Sequence, residues 1–130
     1  MIEFHLDPRS GVATYLQIVQ QVREALRLGV LDVGDQLPTV REVVAGLAIN
    51  PNTVAKAYRE LEREGLVDAQ QGRGTFVSRA LAPASLRHHE ALRAELERWL
   101  DSARRAGLDE ESIRALISAT LREALGRRVA

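Results

Sequence analysis

Apolar side chains recur at helical spacing in five stretches of this chain, and short alternating runs lie between them. From about Val12 to Leu28, Tyr15, Leu16, Val19, Val22 and Leu26 form one stripe, with Gln17, Gln20, Gln21, Arg23 and Glu24 mostly outside it. Gly29 closes that helix, and Gly34-Asp35 turns the chain into a short strand around Gln36-Leu37. Pro38 stops the strand. Thr39-Val40-Arg41-Glu42 then opens a second helix with a capping box, in which the hydroxyl and the carboxylate three positions later satisfy orphan N–H groups. Ala45-Gly46-Leu47-Ala48-Ile49 reads as a tight turn built on the glycine. A third helix starts with Asn50 as cap and Pro51 in the first helical position, carries Val54, Ala57, Tyr58 and Leu61 inward, and ends at Gly65. Leu66 to Ala69 and Thr75 to Ser78 are strand-like, and the glycines of Gln70-Gln71-Gly72-Arg73-Gly74 permit positive φ at the tip between them.

Ahead of all this, Ile2, Phe4 and Leu6 alternate before the turn residues Asp7, Pro8, Ser10 and Gly11, which predicts an extended arm packed on a neighbour. Behind it, Arg79 to about Ala84 forms a linker and two amphipathic helices follow. One runs from about Ser85 to Arg105, with Leu92, Leu96, Trp99, Leu100 and Ala103 on one face. The other runs from about Asp109 to Arg127 with Ile113, Leu116, Ile117, Leu121 and Leu125, after Gly107 ends the first and Asp109 caps the second. The predicted fold is mainly α with a small β wing: a winged helix-turn-helix over 1–78, a linker over 79–84 and a two-helix hairpin over 85–130. Such a head puts one helix into the major groove of DNA.

Composition narrows the options. At 130 residues the chain suits one domain, or a small domain plus an accessory piece. With no cysteine, disulfides, zinc-thiolate sites and thiol redox sensing are excluded, which suits a reducing cytoplasm. No apolar run approaches a membrane span and no signal peptide is visible, so a soluble, cytoplasmic protein is expected. Charge complicates a DNA-binding reading, because 18 basic side chains balance 18 acidic ones, and residues 1–78 carry eight basic against ten acidic. Recognition must then rest on where the charges lie, with modest nonspecific affinity and a small salt slope.

Leu37-Pro38-Thr39-Val40-Arg41-Glu42, the Asn50 to Glu62 run with its Asn-Pro-Asn-Thr-Val-Ala-Lys-Ala-Tyr core, Gly65-Leu66-Val67 and Gly72-Arg73-Gly74-Thr75-Phe76-Val77 occur in this order over about the first sixty per cent of the chain. This set resembles the DNA-binding domain of GntR-family transcription regulators, and the form of the third helix with so short a tail resembles the YtrA-type subfamily. The resemblance implies a sequence-specific transcription regulator, a repressor of its own operon and of an adjacent transporter. It also implies an arginine, matched by Arg41, used against the DNA backbone or a base. From the geometry of a groove-bound helix, Pro51, Asn52, Thr53 and Lys56 are the expected contacts: Asn52 can pair with adenine, Thr53 can meet phosphate or a thymine methyl, and Lys56 can reach a guanine edge or a phosphate. Gly72, Arg73 and Gly74 make a wing tip that can approach a minor groove. Many GntR heads carry arginine where this chain has Pro51 and Ala55, so their operators do not transfer. Arg23, Arg27 and Arg59 are weaker phosphate candidates, since exposed helix arginines are usually plain solvated charges.

Other classes fit less well. Two helices alone cannot bury both apolar stripes, so Leu92, Leu96, Trp99, Leu100, Ile113, Leu116, Ile117 and Leu121 are expected to meet a second copy and hold two heads for a two-fold operator. The roughly fifty-residue tail offers no large ligand-binding domain, and the sequence names no small-molecule effector. No catalytic set appears, and an aminotransferase-like activity would need a Schiff-base lysine where Lys56, the only lysine, sits in the reading helix. His88-His89 lack partner ligands, so neither metal nor cofactor is expected. Tyr15, Tyr58 and Phe76 read as core. A winged-helix adaptor that grips protein instead of DNA is the alternative kept open by the neutral charge.

Overall fold

The computed structural model describes residues 2–82 and 89–129, the last three by backbone only. The predicted linker residues from Pro83, the expected start of the tail helix at Ser85, and His88 lie outside the described residues. Two compact units divide near residue 88. In chain order the elements are α1 (Thr14–Arg27), α2 (Val40–Leu47), α3 (Pro51–Arg63), β1 (Val67–Gln70), β2 (Gly74–Val77), α4 (Glu90–Arg105) and α5 (Glu110–Val129).

The first unit is a winged helix-turn-helix built around α1 and α3. Ile18, Val19, Val22 and Leu26 of α1 meet Val54, Ala57, Tyr58 and Leu61 of α3 in one core, closed by Leu37, Val43, Leu66, Val67 and Val77. The buried side of α1 differs from the predicted stripe. Ile18 and Ala25 are buried while Leu16 is only half-buried, and Gln17 is 8% exposed. The arm explains the glutamine. Its neighbour is the chain's own first helix: Phe4 enters the core, Ile2 and Leu6 pack beside it, and two carboxamides one helical turn apart clasp its backbone. Gln17 accepts from Asp7 N–H at 2.8 Å and donates to Asp7 C=O at 2.9 Å, while Gln21 does the same for His5 at 2.9 and 2.6 Å. Gln17 Nε2 also donates to Ser10 Oγ and Val12 C=O. A buried amide is costly unless its bonds are made, and here they are.

Both predicted helix starts hold. Thr39 Oγ1 accepts from Glu42 N–H and the Glu42 carboxylate accepts from Thr39 N–H, completing the capping box. Asn50 Oδ1 accepts from Asn52 N–H at 2.8 Å, ahead of Pro51 in the first helical position. The turn between them differs from expectation. α2 continues through Gly46 and Leu47, and the left-handed residue is Ala48, at φ 53°. Glycine thus occupies a helix interior and alanine a conformation that favours glycine, because the helix must run to Leu47 to pack its side chain on the core.

β1 and β2 pair antiparallel with Val67 opposite Val77 and Gln70 opposite Gly74. The predicted strand at Gln36-Leu37 flanks β2: Gln36 bridges Phe76, and Leu37 N–H donates to Thr75 C=O at 2.9 Å. The Gln70–Gly74 turn is closed by Arg73 N–H on Gln70 C=O, with Gly72 and Gly74 at φ 77° and 124°.

The second unit is a helical hairpin. Gly107 takes φ 91° between its helices, and Asp109 caps α5 by accepting from Ser112 N–H at 2.8 Å, which holds its carboxyl below the ordinary value. Ala103 is the one buried residue among the described side chains of this unit.

Candidate nucleic-acid interface

The front of α3 is built to face outward. Val54, Ala57, Tyr58 and Leu61 anchor its inner side, and the 3.6-residue period then leaves Asn52, Lys56, Arg59 and Arg63 on one exposed stripe. Of the residues singled out in the sequence, Pro51, Asn52 and Lys56 are exposed, while Thr53 is half-buried with its N–H on Asn50 C=O at 3.0 Å. Asn50 acts as the cap, which occupies its side-chain oxygen. Tyr58 ties α3 to the segment that leads into α2. Its buried hydroxyl donates to Pro38 C=O at 2.6 Å, just before the capping box, and burial followed by the Glu42 charge raises its pKa.

Arg41 stands exposed on the first turn of α2. Near that helix start, Thr39 and wing residues Ala69 to Thr75 line an open cleft of about 420 Å³. Gly72 and Arg73 are exposed at the wing tip and Gly74 is half-buried. Gln36 holds this tip from behind: its Nε2 donates to Arg73 C=O at 3.4 Å, and a Cβ on Gly74 would stand 2.5 Å from that same nitrogen. Two features escaped the sequence reading. Gln70 and Gln71 contribute amides to the cleft, where alternation alone gave no signal. Lys56 Nζ lies 4.1 Å from the centroid of the Tyr15 ring, a meeting of α1 with α3 that no local pattern encodes.

The remaining arginines separate. Arg23 is ion-paired with Glu64 and Arg63 with Glu60, whose carboxyl the Arg63 hydrogen bond holds low. Arg59 stays exposed beside Lys56. No group of three or more metal-ligating side chains occurs among the described residues, and no described helix is long and apolar enough to cross a membrane.

Comparison with known proteins identifies the family and the fold. Residues 14–77 match the family described as bacterial regulatory proteins, gntR family. The HTH-type transcriptional repressor YtrA of Bacillus subtilis (strain 168) is 51% identical over 73 residues, and the matched stretch is 56% of this chain and 56% of that repressor. Among solved structures, YtrA from Sulfolobus acidocaldarius, a GntR-family transcription factor, superposes with a TM-score of 0.55 at 33% identity, covering 75% of this chain and 97% of that one. The DNA-binding domain of AraR, in complex with operator ORX1, superposes with a TM-score of 0.51 at 26% identity over 58% of this chain and 93% of that one. Relatives of this head are named as regulators and not as enzymes.

Proposed function

The chain belongs to the GntR family of bacterial regulatory proteins, and on that premise we propose that it is a sequence-specific DNA-binding transcription regulator of the cytoplasm. It acts as a dimeric repressor of its own operon and of an adjacent transporter, the role the YtrA-type resemblance implies. The observation that carries the reading is the exposed front of α3, where Asn52 and Lys56 are open to solvent beside an inward face that is packed in the core. A helix so presented is free to enter a major groove. The likeness to an operator-bound domain supports the same placement. Pro51, Asn52, Thr53 and Lys56 then meet the groove, Arg41 meets the backbone, and Gly72, Arg73 and Gly74 bring the wing to the neighbouring minor groove.

The hairpin supplies the second copy. Leu92, Leu96, Leu121 and Leu125 are more than half exposed, and Trp99 and Leu116 lie with them as uncovered apolar surface. Half-buried Leu100, Ile113 and Ile117 border the same face. Pairing two such faces about a two-fold axis covers them and sets the heads on symmetric half-sites. Selection of duplexes from a random-sequence pool, followed by footprinting, tests the proposal. A protected two-fold site is expected, and equal affinity for random duplex at physiological salt would overturn it.

A further inference from the structure

Lys56 is the only lysine in the chain, and its side chain reaches across to a neighbouring helix. The ammonium sits 4.1 Å from the centre of the Tyr15 ring, on the first turn of α1. No carboxylate pairs with it among the described ion pairs, whereas Arg63 on the same stripe is neutralised by Glu60. A cation over a π face keeps its full charge, and the donors not aimed at the ring stay available. Direction matters too. The ring belongs to α1, so the contact ties the lysine toward the neighbouring helix and not along α3 alone.

We propose that Tyr15 is a positioning residue that commits Lys56 to a backbone phosphate flanking the bases read by α3, so that Lys56 contributes affinity and not base choice. The inference rests on the DNA-binding reading above and sharpens it. Where a lysine on a groove-bound helix can serve either a guanine edge or a phosphate, the Tyr15 contact selects the phosphate. Holding the stem in place also reduces the conformers lost when the phosphate arrives.

The test uses the full chain, a duplex selected by the wild-type protein from a random pool, and a scrambled duplex of equal length. Lys56→Ala is expected to weaken both duplexes by the same factor, on the order of tenfold, and to lower the salt slope by about one. Tyr15→Leu is expected to weaken both about threefold, with little further loss when combined with Lys56→Ala, and Tyr15→Phe to behave as wild type. Because the lysine is single, its Cε protons give one assignable NMR signal, shifted upfield by the ring in wild type and Tyr15→Phe and returned to the free-lysine position in Tyr15→Leu. This readout holds even if Tyr15→Leu also lowers stability. A loss confined to the selected duplex, multiplying effects of the two substitutions, or a free-lysine signal in the wild-type protein would each overturn the proposal. Failure of the parent reading looks different: wild type would not distinguish the duplexes, while the lysine signal would still be shifted.

Discussion

The head and the tail solve the problem of burying apolar side chains in opposite ways. In the head, three helices, a hairpin and the N-terminal arm surround one cluster, and Ile18, Val19, Val22, Leu26, Val54 and Leu61 lose all contact with solvent. In the tail, two helices of comparable apolar content bury Ala103 and leave leucines and the only tryptophan uncovered. Each helix of a pair has one partner, and a stripe wider than one partner cannot be hidden. A closed core makes a rigid reading head, whereas the open face is the surface on which we propose that a second copy docks. The two regions should therefore respond to mutation through different observables.

The sharpest contrast comes from truncating one side chain in each. Leu61→Ala leaves a hole where surrounding helices cannot collapse, and should cost about 3 kcal/mol in urea unfolding of the head. Trp99→Ala is expected to leave the head's unfolding unchanged and to weaken self-association by roughly 2 kcal/mol, seen by sedimentation equilibrium. If Trp99→Ala destabilised the head and spared association, head and tail would not divide the work in this way.

Smaller effects probe how the head holds its reading helix. Tyr58→Phe strands the buried Pro38 carbonyl and should cost about 1.5 kcal/mol. It also carries a pH signature. The phenol of the unfolded chain ionises near its ordinary 10.0 while the folded protein keeps its proton to higher pH, so this contribution is whole below pH 10.0 and is lost as pH rises beyond it. In Tyr58→Phe that part of the alkaline decline should vanish from thermal melts. Smallest and opposite in sign, Ala48→Gly relieves a left-handed residue and Gly46→Ala adds helix propensity in open space, each worth about 0.5 kcal/mol of added stability. Their combination should raise the melting temperature without altering association.

Much of this molecule was legible because its signals are local. The capping box at Thr39, the Asn50-Pro51 start, the glycines of the wing and the Asp109 cap each depend on residues within a few positions, and each appears as read. The misreadings share a different cause. Gln17 looks like a surface residue until the arm folds back over it, and Gly46 looks like the turn until Leu47 is drawn inward. Gln36 behind the wing tip and Tyr15 beneath Lys56 join positions 37 and 41 residues apart, beyond the reach of any periodicity.

Sequence by itself determined the order of the elements, the caps that open α2, α3 and α5, and which side chains stand at the front of α3, because hydrogen-bond capping and helical period act over one or two turns. Tertiary structure alone decided which polar groups are buried against the arm, where the left-handed residue falls, and toward what the single lysine leans. Those outcomes depend on which surfaces meet when distant segments pack, and the free energy of that meeting is written in no short stretch of the chain.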